Sequence, residues 1–535
     1  MRKPFSIRFD LAQIFGIDPR SLALFRVAMG LVLLCDLCLR ASDIGAFYTD
    51  AGVLPRAAQI EIYSGLPALL SLHLLNGSAA AQWVLFALAI ASALALTLGY
   101  RTRLATLVSW VLLVSLHNRN PMVLQGGDVL LRMMLFWSLF LPLAARVSLD
   151  NWLATRTNPT APDLAAPGLA APNVITPNPT APARAKYPNG PWVSTGTLAA
   201  LLQVCFVYWF TAALKTDASW QIDGTAVGYA LSIDQLAKPL GRALLGYPDL
   251  LRLLTFFTVA LERFGPWIAL LPFWRSRVFM VAVFCGFHLI MGLCLTLGIF
   301  TWIAPASWLL FVPSGAWDWL ETRATQLPAR AQSTFDVLRA RGGTLRLADK
   351  LGATSTTAAR REPLWRRTLR QGVCAFFLIY VFGWNLRALD FPTYSRFFPQ
   401  GWNWIGESMR LDQVWNMFSP LPLKEDGWFL APATLADGKQ VNLVRPDAPL
   451  SFGEPPNLSG TFRDPVWQKY LLNLWSADNA AHRAYYAAYL VRDWNNNHDS
   501  QQRVKAVQIV YMQQTNLPGF RKDKVKKVVL WQQTF

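Results

Sequence analysis

Residues 197–215 read TLAALLQVCFVYWFTAALK, an apolar run long enough to cross a hydrocarbon layer as a helix. About twenty such residues, at 1.5 Å each, match a core roughly 30 Å thick. Runs of this kind recur along the chain at 21–39, 81–100, 104–117, 129–143, 250–274, 278–297, 299–312 and 372–386. With 53% hydrophobic and 15% charged residues, the composition excludes an ordinary soluble globular protein. The expected fold class is a polytopic α-helical membrane protein of about nine transmembrane helices with a C-terminal extracytoplasmic α+β domain.

The formal net charge of +18 is arranged as topology rather than as a nucleic-acid surface. RTR (101–103), RSR (275–277) and the Arg-rich stretch AARREPLWRRTLR (358–370) all flank apolar runs, and one orientation puts them on the same side. That orientation has the N-terminus in the cytoplasm. Four spans fill 1–150, a Pro/Ala-rich cytoplasmic linker 151–195, four more spans 196–315 and a basic cytoplasmic loop 316–370. A ninth span covers 371–388, and 389–535 form the extracytoplasmic domain. In that tail QVNLV, KAVQIVYM and VKKVVLWQQTF read as strands, LADGKQ as a turn and residues 467–494 as helical. The N-terminus lacks the continuous apolar core of a signal peptide, so the first span is expected to remain as an anchor. All six cysteines fall in apolar segments, with no disulfide framework and no metal-ligand spacing.

Ionisable residues inside such segments cost about 2.5–3.5 kcal/mol each on insertion scales, so they face a partner or a cavity. Here they are Arg26 and Asp36 in the first span, Asp128 and Arg132 at the start of the fourth, Glu262 and Arg263 in the sixth, His288 in the seventh and Lys215 closing the fifth. Asp128 and Arg132 are four apart and share a helix face, as an intramembrane ion pair would. Arg26 and Asp36 read as structural pairs with neighbouring spans. Lys215 alone reads as a snorkelling lysine, and His288 as a satisfied core histidine. Together, Lys215, Glu262 and His288 also suit a cavity open to one leaflet, with the amine at its mouth and the other two deeper.

IDPRSLALFRVAMGLVLLCDL (17–37), YWFTAALKTDASW (208–220) and FHLIMGLCLTLGIFTWI (287–303) resemble segments of the vitamin K-dependent γ-glutamyl carboxylase family. With SDIGAFYTDAGVLPR (42–56) and HNRNPMVLQGGDVLLR (117–132), the order resembles bacterial proteins carrying the horizontally transferred transmembrane (HTTM) domain, over roughly residues 15–315. WNMFSPLPLKEDGW (415–428) extends the likeness into the tail. The resemblance implies a bacterial inner membrane protein with reduced vitamin K or menaquinol as cofactor and no metal. It implies membrane lipid or quinone and an exported peptide as partners, and no nucleic acid. Lys215 matches the family lysine that takes the quinol proton, a step that needs a neutral amine. His288 and Glu262 would join it as catalytic residues, orienting substrate or oxygen, with Trp220, Tyr208 and Asp217 against the quinone or substrate. The chain departs from the family where Leu214 replaces the first of two lysines, and where His117 is offset from the family's histidine. Two readings follow: a carboxylase-like lyase or other quinol-dependent modifying enzyme, or a non-catalytic membrane protein that binds lipid or quinone, or anchors the outer domain for assembly or export.

Overall fold

The computed structural model describes residues 11–63, 70–157, 190–325, 363–389 and 398–535. Each expected apolar run is helical: α1 (Pro19–Ala41), α2 (Ala79–Leu98), α3 (Thr102–Arg119), α4 (Gly126–Ser138), α5 (Thr195–Leu214), α6 (Pro248–Ala269), α7 (Trp274–Cys294), α8 (Phe300–Trp308) and α9 (Leu364–Arg387). Among the described residues, five of them are long and apolar enough to cross a membrane: α1, α2, α5, α7 and α9. The chain is therefore a helical membrane protein with a C-terminal sheet domain, and nine spans are not reached by that measure.

The reasons differ from helix to helix. α4 has 13 residues, about 20 Å of rise. It is an interior helix with nearly every residue buried from Gly127 to Ser138, packed against α3, α5 and α8. α8 has nine residues, continued by a single 3₁₀ turn to Phe311. α6 has the length, with 22 residues, but carries Arg252, Glu262 and Arg263. Apolar side chains point outward instead on the long helices, among them Leu31 and Leu39 on α1, Trp83 and Leu88 on α2, and Phe279 and Ile290 on α7. So continuous an apolar exterior belongs against lipid rather than water. Most of the expected linker and basic loop, 158–189 and 326–362, lies outside the described residues. The first part of that loop is helical (Ser314–Thr325), and Arg20 reaches it at 2.8 Å from both Asp318 and Glu321.

Two glycines set close approaches. Gly99 ends α2 in the left-handed region (φ 71°), and a Cβ there would lie 2.6 Å from the Arg26 guanidinium. Gly127 lets α4 lie against the start of α8, where a Cβ would meet the Phe300 backbone nitrogen at 2.5 Å. Gly127→Ala should therefore force these helices apart and cost about 1–3 kcal/mol, the usual range for overpacking. Gly286→Ala on α7, where a Cβ meets nothing within 4 Å, should leave the unfolding midpoint in detergent unchanged or slightly raised. Equal midpoints for the two variants would count against this contact.

The tail is an α+β unit built around one long strand. β4 (Val504–Leu517) pairs along one edge with β1 (Glu425–Leu430) and then β2 (Pro432–Leu435), and along the other with β6 (Lys526–Thr534), all antiparallel. β3 (Gln440–Asn442) joins β2 through the LADGKQ turn, and the short β5 (Arg521–Lys522) pairs with the end of β4. The strands expected from QVNLV, KAVQIVYM and the C-terminus fall on β3, β4 and β6; β1 and β2 are additional. The expected helical stretch is two helices, α10 (Pro465–Trp475) and α11 (His482–Asn496).

The tail packs on the helical bundle. Trp467 packs on Phe47 with tilted rings 4.4 Å apart, Asn473 donates to the Met122 carbonyl at 2.8 Å, and His482 pairs with the Tyr63 hydroxyl at 2.9 Å. Burial pushes the His482 imidazole down to about 4. Unfolded chain with an ordinary histidine near 6.5 takes up the proton first, so stability is present at neutral pH and lost as pH falls from about 6.5 through about 4. Unfolding midpoints at pH 7.5 and pH 5 should differ, and His482→Gln should reduce that difference. An unchanged difference would remove His482 from the acid response.

Candidate functional site

α5 ends at Lys215 because Asp217 begins the next turn of helix: its side chain accepts from the Ser219 backbone at 2.9 Å and caps Ala218–Gln221. Gln221 donates to the Lys215 carbonyl at 2.6 Å, so a freed backbone acceptor at the end of α5 is satisfied. The chain then folds back and carries Trp220 over the Lys215 side chain. Trp220 lies with its ring centre 4.3 Å from Lys215 Nζ, and its indole nitrogen donates to the Phe418 carbonyl of the tail at 2.9 Å.

Lys215 is 3% exposed, so it does not snorkel. Its ammonium donates to the carboxylate of Glu262, which is itself buried in the middle of α6. The arrangement differs from an amine at a mouth with acid and imidazole below it, because Glu262 meets Lys215 directly. The positively charged amine can sit inside because it has both a carboxylate and an aromatic face.

His288 belongs to a second cluster. Its Nε2 is 2.7 Å from the Tyr208 hydroxyl, which also accepts from the Trp308 indole at 2.8 Å. Tyr208 and Lys215 are seven residues apart, so they share a face of α5 about 10 Å apart along its axis. Phe284 stacks flat on Trp308 with ring centres 4.0 Å apart, and Phe300 meets His288 edge-on at 5.1 Å. His288 Nδ1 is buried and without a hydrogen-bond partner among the described residues. Asp217 touches neither cluster's polar centre and serves as the cap described above.

The other charges form a network with different pairings from those expected. Asp36 and Asp128 both bind Arg40, at 2.9 Å and 2.5 Å. Asp128 thus takes its arginine from α1 instead of pairing with Arg132, whose side chain turns to the tail. Arg132 donates to the carbonyls of Arg410 at 2.6 Å and Asp412 at 2.9 Å. Among the described residues Arg26 pairs with no carboxylate but donates to the carbonyls of Leu143 and Val147, at 3.0 Å and 2.5 Å. The physical reason is common to both arginines: each reaches helix-end or loop carbonyls that lack backbone donors.

Arg40 and Arg119 are buried arginines that the sequence did not single out. Arg40 stands four residues after Asp36, a spacing visible in the sequence. Arg119 binds the Gln59 side chain and three carbonyls of the 48–54 segment, for which no sequence signal exists. His117 lies inside this network, 3.4 Å from Arg132 and 3.7 Å from Asp128.

No protein-family model matches the chain, and neither a curated protein nor a solved structure matches it.

Proposed function

We propose that the protein is a quinol-binding membrane enzyme of the carboxylase-like HTTM type in the bacterial inner membrane, with Lys215 and Glu262 as its proton-handling pair. The observation that carries this reading is the burial of a lysine–glutamate pair beneath an aromatic face at the end of α5. The ion pair and its proton-shifted form, amine with carboxylic acid, hold the same number of protons. A proton can therefore pass along that hydrogen bond without exchange with water, and the amine so formed can accept one from a hydroxyl.

The residues present fit a hydroxylated ring. The Trp220 face over Nζ is the surrounding an aromatic plane would meet, and the buried Ser219 side chain beside the Asp217 carboxylate adds a hydroxyl. A reduced quinone bound there would supply the oxidisable ring and an acidic hydroxyl. Lys215 would receive the proton, Glu262 would hold Lys215 in place and exchange the proton with it, and Trp220 would exclude water. Tyr208, two turns back along α5, and His288 of α7 form a separate polar pair.

Photo-crosslinking in menaquinone-bearing nanodiscs tests the binding. The expected adduct lies on residues 205–221 and falls at least tenfold in Lys215→Ala, while labelled CO₂ enters a Glu-rich peptide only with reduced quinone. An adduct elsewhere on the chain would overturn the site. Binding without CO₂ incorporation would leave quinol chemistry but remove carboxylation.

The second reading is non-catalytic: the same contacts hold the outer domain to the bundle. It is favoured by the Trp220 indole, which ties this corner to the tail through the Phe418 carbonyl. Its expected result is a Lys215→Ala protein that loses tail packing and shows no quinone adduct even in the parent chain.

A further inference from the structure

A pocket of about 260 Å³ opens between α4, the end of α9 and the tail segment 410–414. None of its lining residues belongs to the Lys215 or His288 clusters. Its charged lining is Arg132, Arg410 and Asp412, so two guanidinium groups face one carboxylate. Asp412 divides itself between them at 3.7 Å from Arg132 and 3.2 Å from Arg410, and its Oδ1 completes no hydrogen bond among the described residues. The lining therefore has one positive charge in excess.

Gln413 adds an unused donor. It is 2% exposed, and its Oε1 accepts from both Gln203 and Trp415 at 2.8 Å, which fixes the amide orientation. Its Nε2 is then left buried with no acceptor among the described residues, a state that costs free energy unless something fills it. Arg410 Nε faces Asp412 Oδ1 at 3.2 Å without completing a hydrogen bond to it. Val129 and Trp384 supply an apolar wall. Trp384 stands near the end of the long apolar helix α9, with Arg387 stacked on it at 4.3 Å, the aromatic and basic pairing of a membrane–water boundary.

We propose that this pocket binds a singly charged oxyanion, a carboxylate or a phosphodiester, held by Arg132, Arg410 and the Gln413 amide. A guanidinium fork matches two oxygens of such a group, one negative charge balances the lining, and the apolar wall receives the adjoining carbon chain. A membrane lipid headgroup and a soluble carboxylate are the two sources of that chemistry.

The test uses the full chain in nanodiscs of zwitterionic phosphatidylcholine, following the thermal unfolding midpoint. One arm titrates phosphatidylglycerol into the disc; the other adds butyrate, with butyramide as its uncharged control. A saturable rise with phosphatidylglycerol identifies a lipid phosphodiester, and a rise with butyrate over butyramide a soluble carboxylate. In either case Arg410→Gln should raise the half-saturating concentration at least tenfold, and Val414→Trp, at an exposed lining position, should do the same by filling the space. No rise in either arm overturns the proposal. So does a rise that Val414→Trp leaves unchanged, even if Arg410→Gln does not fold.

Discussion

Glu262→Leu should destabilise the protein by about 3–5 kcal/mol, the cost of leaving a buried charge without its partner. Lys215 has no second carboxylate among the described residues; the Trp220 face alone remains, and a cation–π contact contributes about 2 kcal/mol in a dry setting, less than the cost of the unpaired charge. The double variant Lys215→Met/Glu262→Leu removes both charges and should recover most of the loss, because buried pairs replaced whole by apolar groups are often neutral. Unfolding midpoints of the two single variants and the double in one detergent give the coupling. If Glu262→Leu unfolds like the parent, the pair is not a buried ion pair. The same double variant separates structure from chemistry: it should stay folded and still fail to form the quinone adduct. Adduct formation in a folded protein without either charge would sink the proton-handling role.

Most of the fold was legible because apolar length and helix formation are local properties. The runs at 21–39, 81–100, 197–215, 278–297 and 372–386 carry their own reason to be helices and to cross lipid. Apolar composition says less about where a helix sits. VLLRMMLFWSLFLPL is as apolar as a span, yet α4 is short because it lies inside other helices, and a helix enclosed by protein needs no lipid-matching length. The strands of the tail followed from alternation, whereas β1 and β2 begin at EDGWFL and PATL, where Gly427 and Pro432 break the pattern.

The candidate site was legible residue by residue but not pair by pair. Charges in apolar segments had to find partners, and Lys215, Glu262 and His288 each did. Which partner each found depended on how segments far apart in sequence fold together. Lys215 meets Glu262 across 47 residues, and Tyr208 meets His288 across 80. Nor does spacing decide between neighbours: Asp128 and Arg132 share a face, but Arg40 on α1 approaches Asp128 at 2.5 Å, while Arg132 finds free carbonyls in the tail.

Arg40→Met tests that network, and its effect should match or exceed that of Glu262→Leu. Arg40 is the shared counter-ion of Asp36 and Asp128, all three being at most 2% exposed. Its removal strands two carboxylates that then also repel each other, a loss of at least about 3–5 kcal/mol. Asp128 in addition accepts from the Gln125 backbone at 2.8 Å to cap α4, so the loss reaches the start of that helix. The triple variant Arg40→Met/Asp36→Asn/Asp128→Asn keeps an acceptor at position 128 and removes every charge, and should restore much of the stability. Arg26→Met offers the contrast. Arg26 holds carbonyls and, among the described residues, no carboxylate, so its loss leaves only neutral acceptors unmet, each a smaller cost than a stranded buried charge. Denaturant midpoints for the three variants should therefore rank Arg40→Met as the least stable. Were Arg40→Met no worse than Arg26→Met, α1 and α4 would be held by their apolar packing and the ion network would add nothing to it.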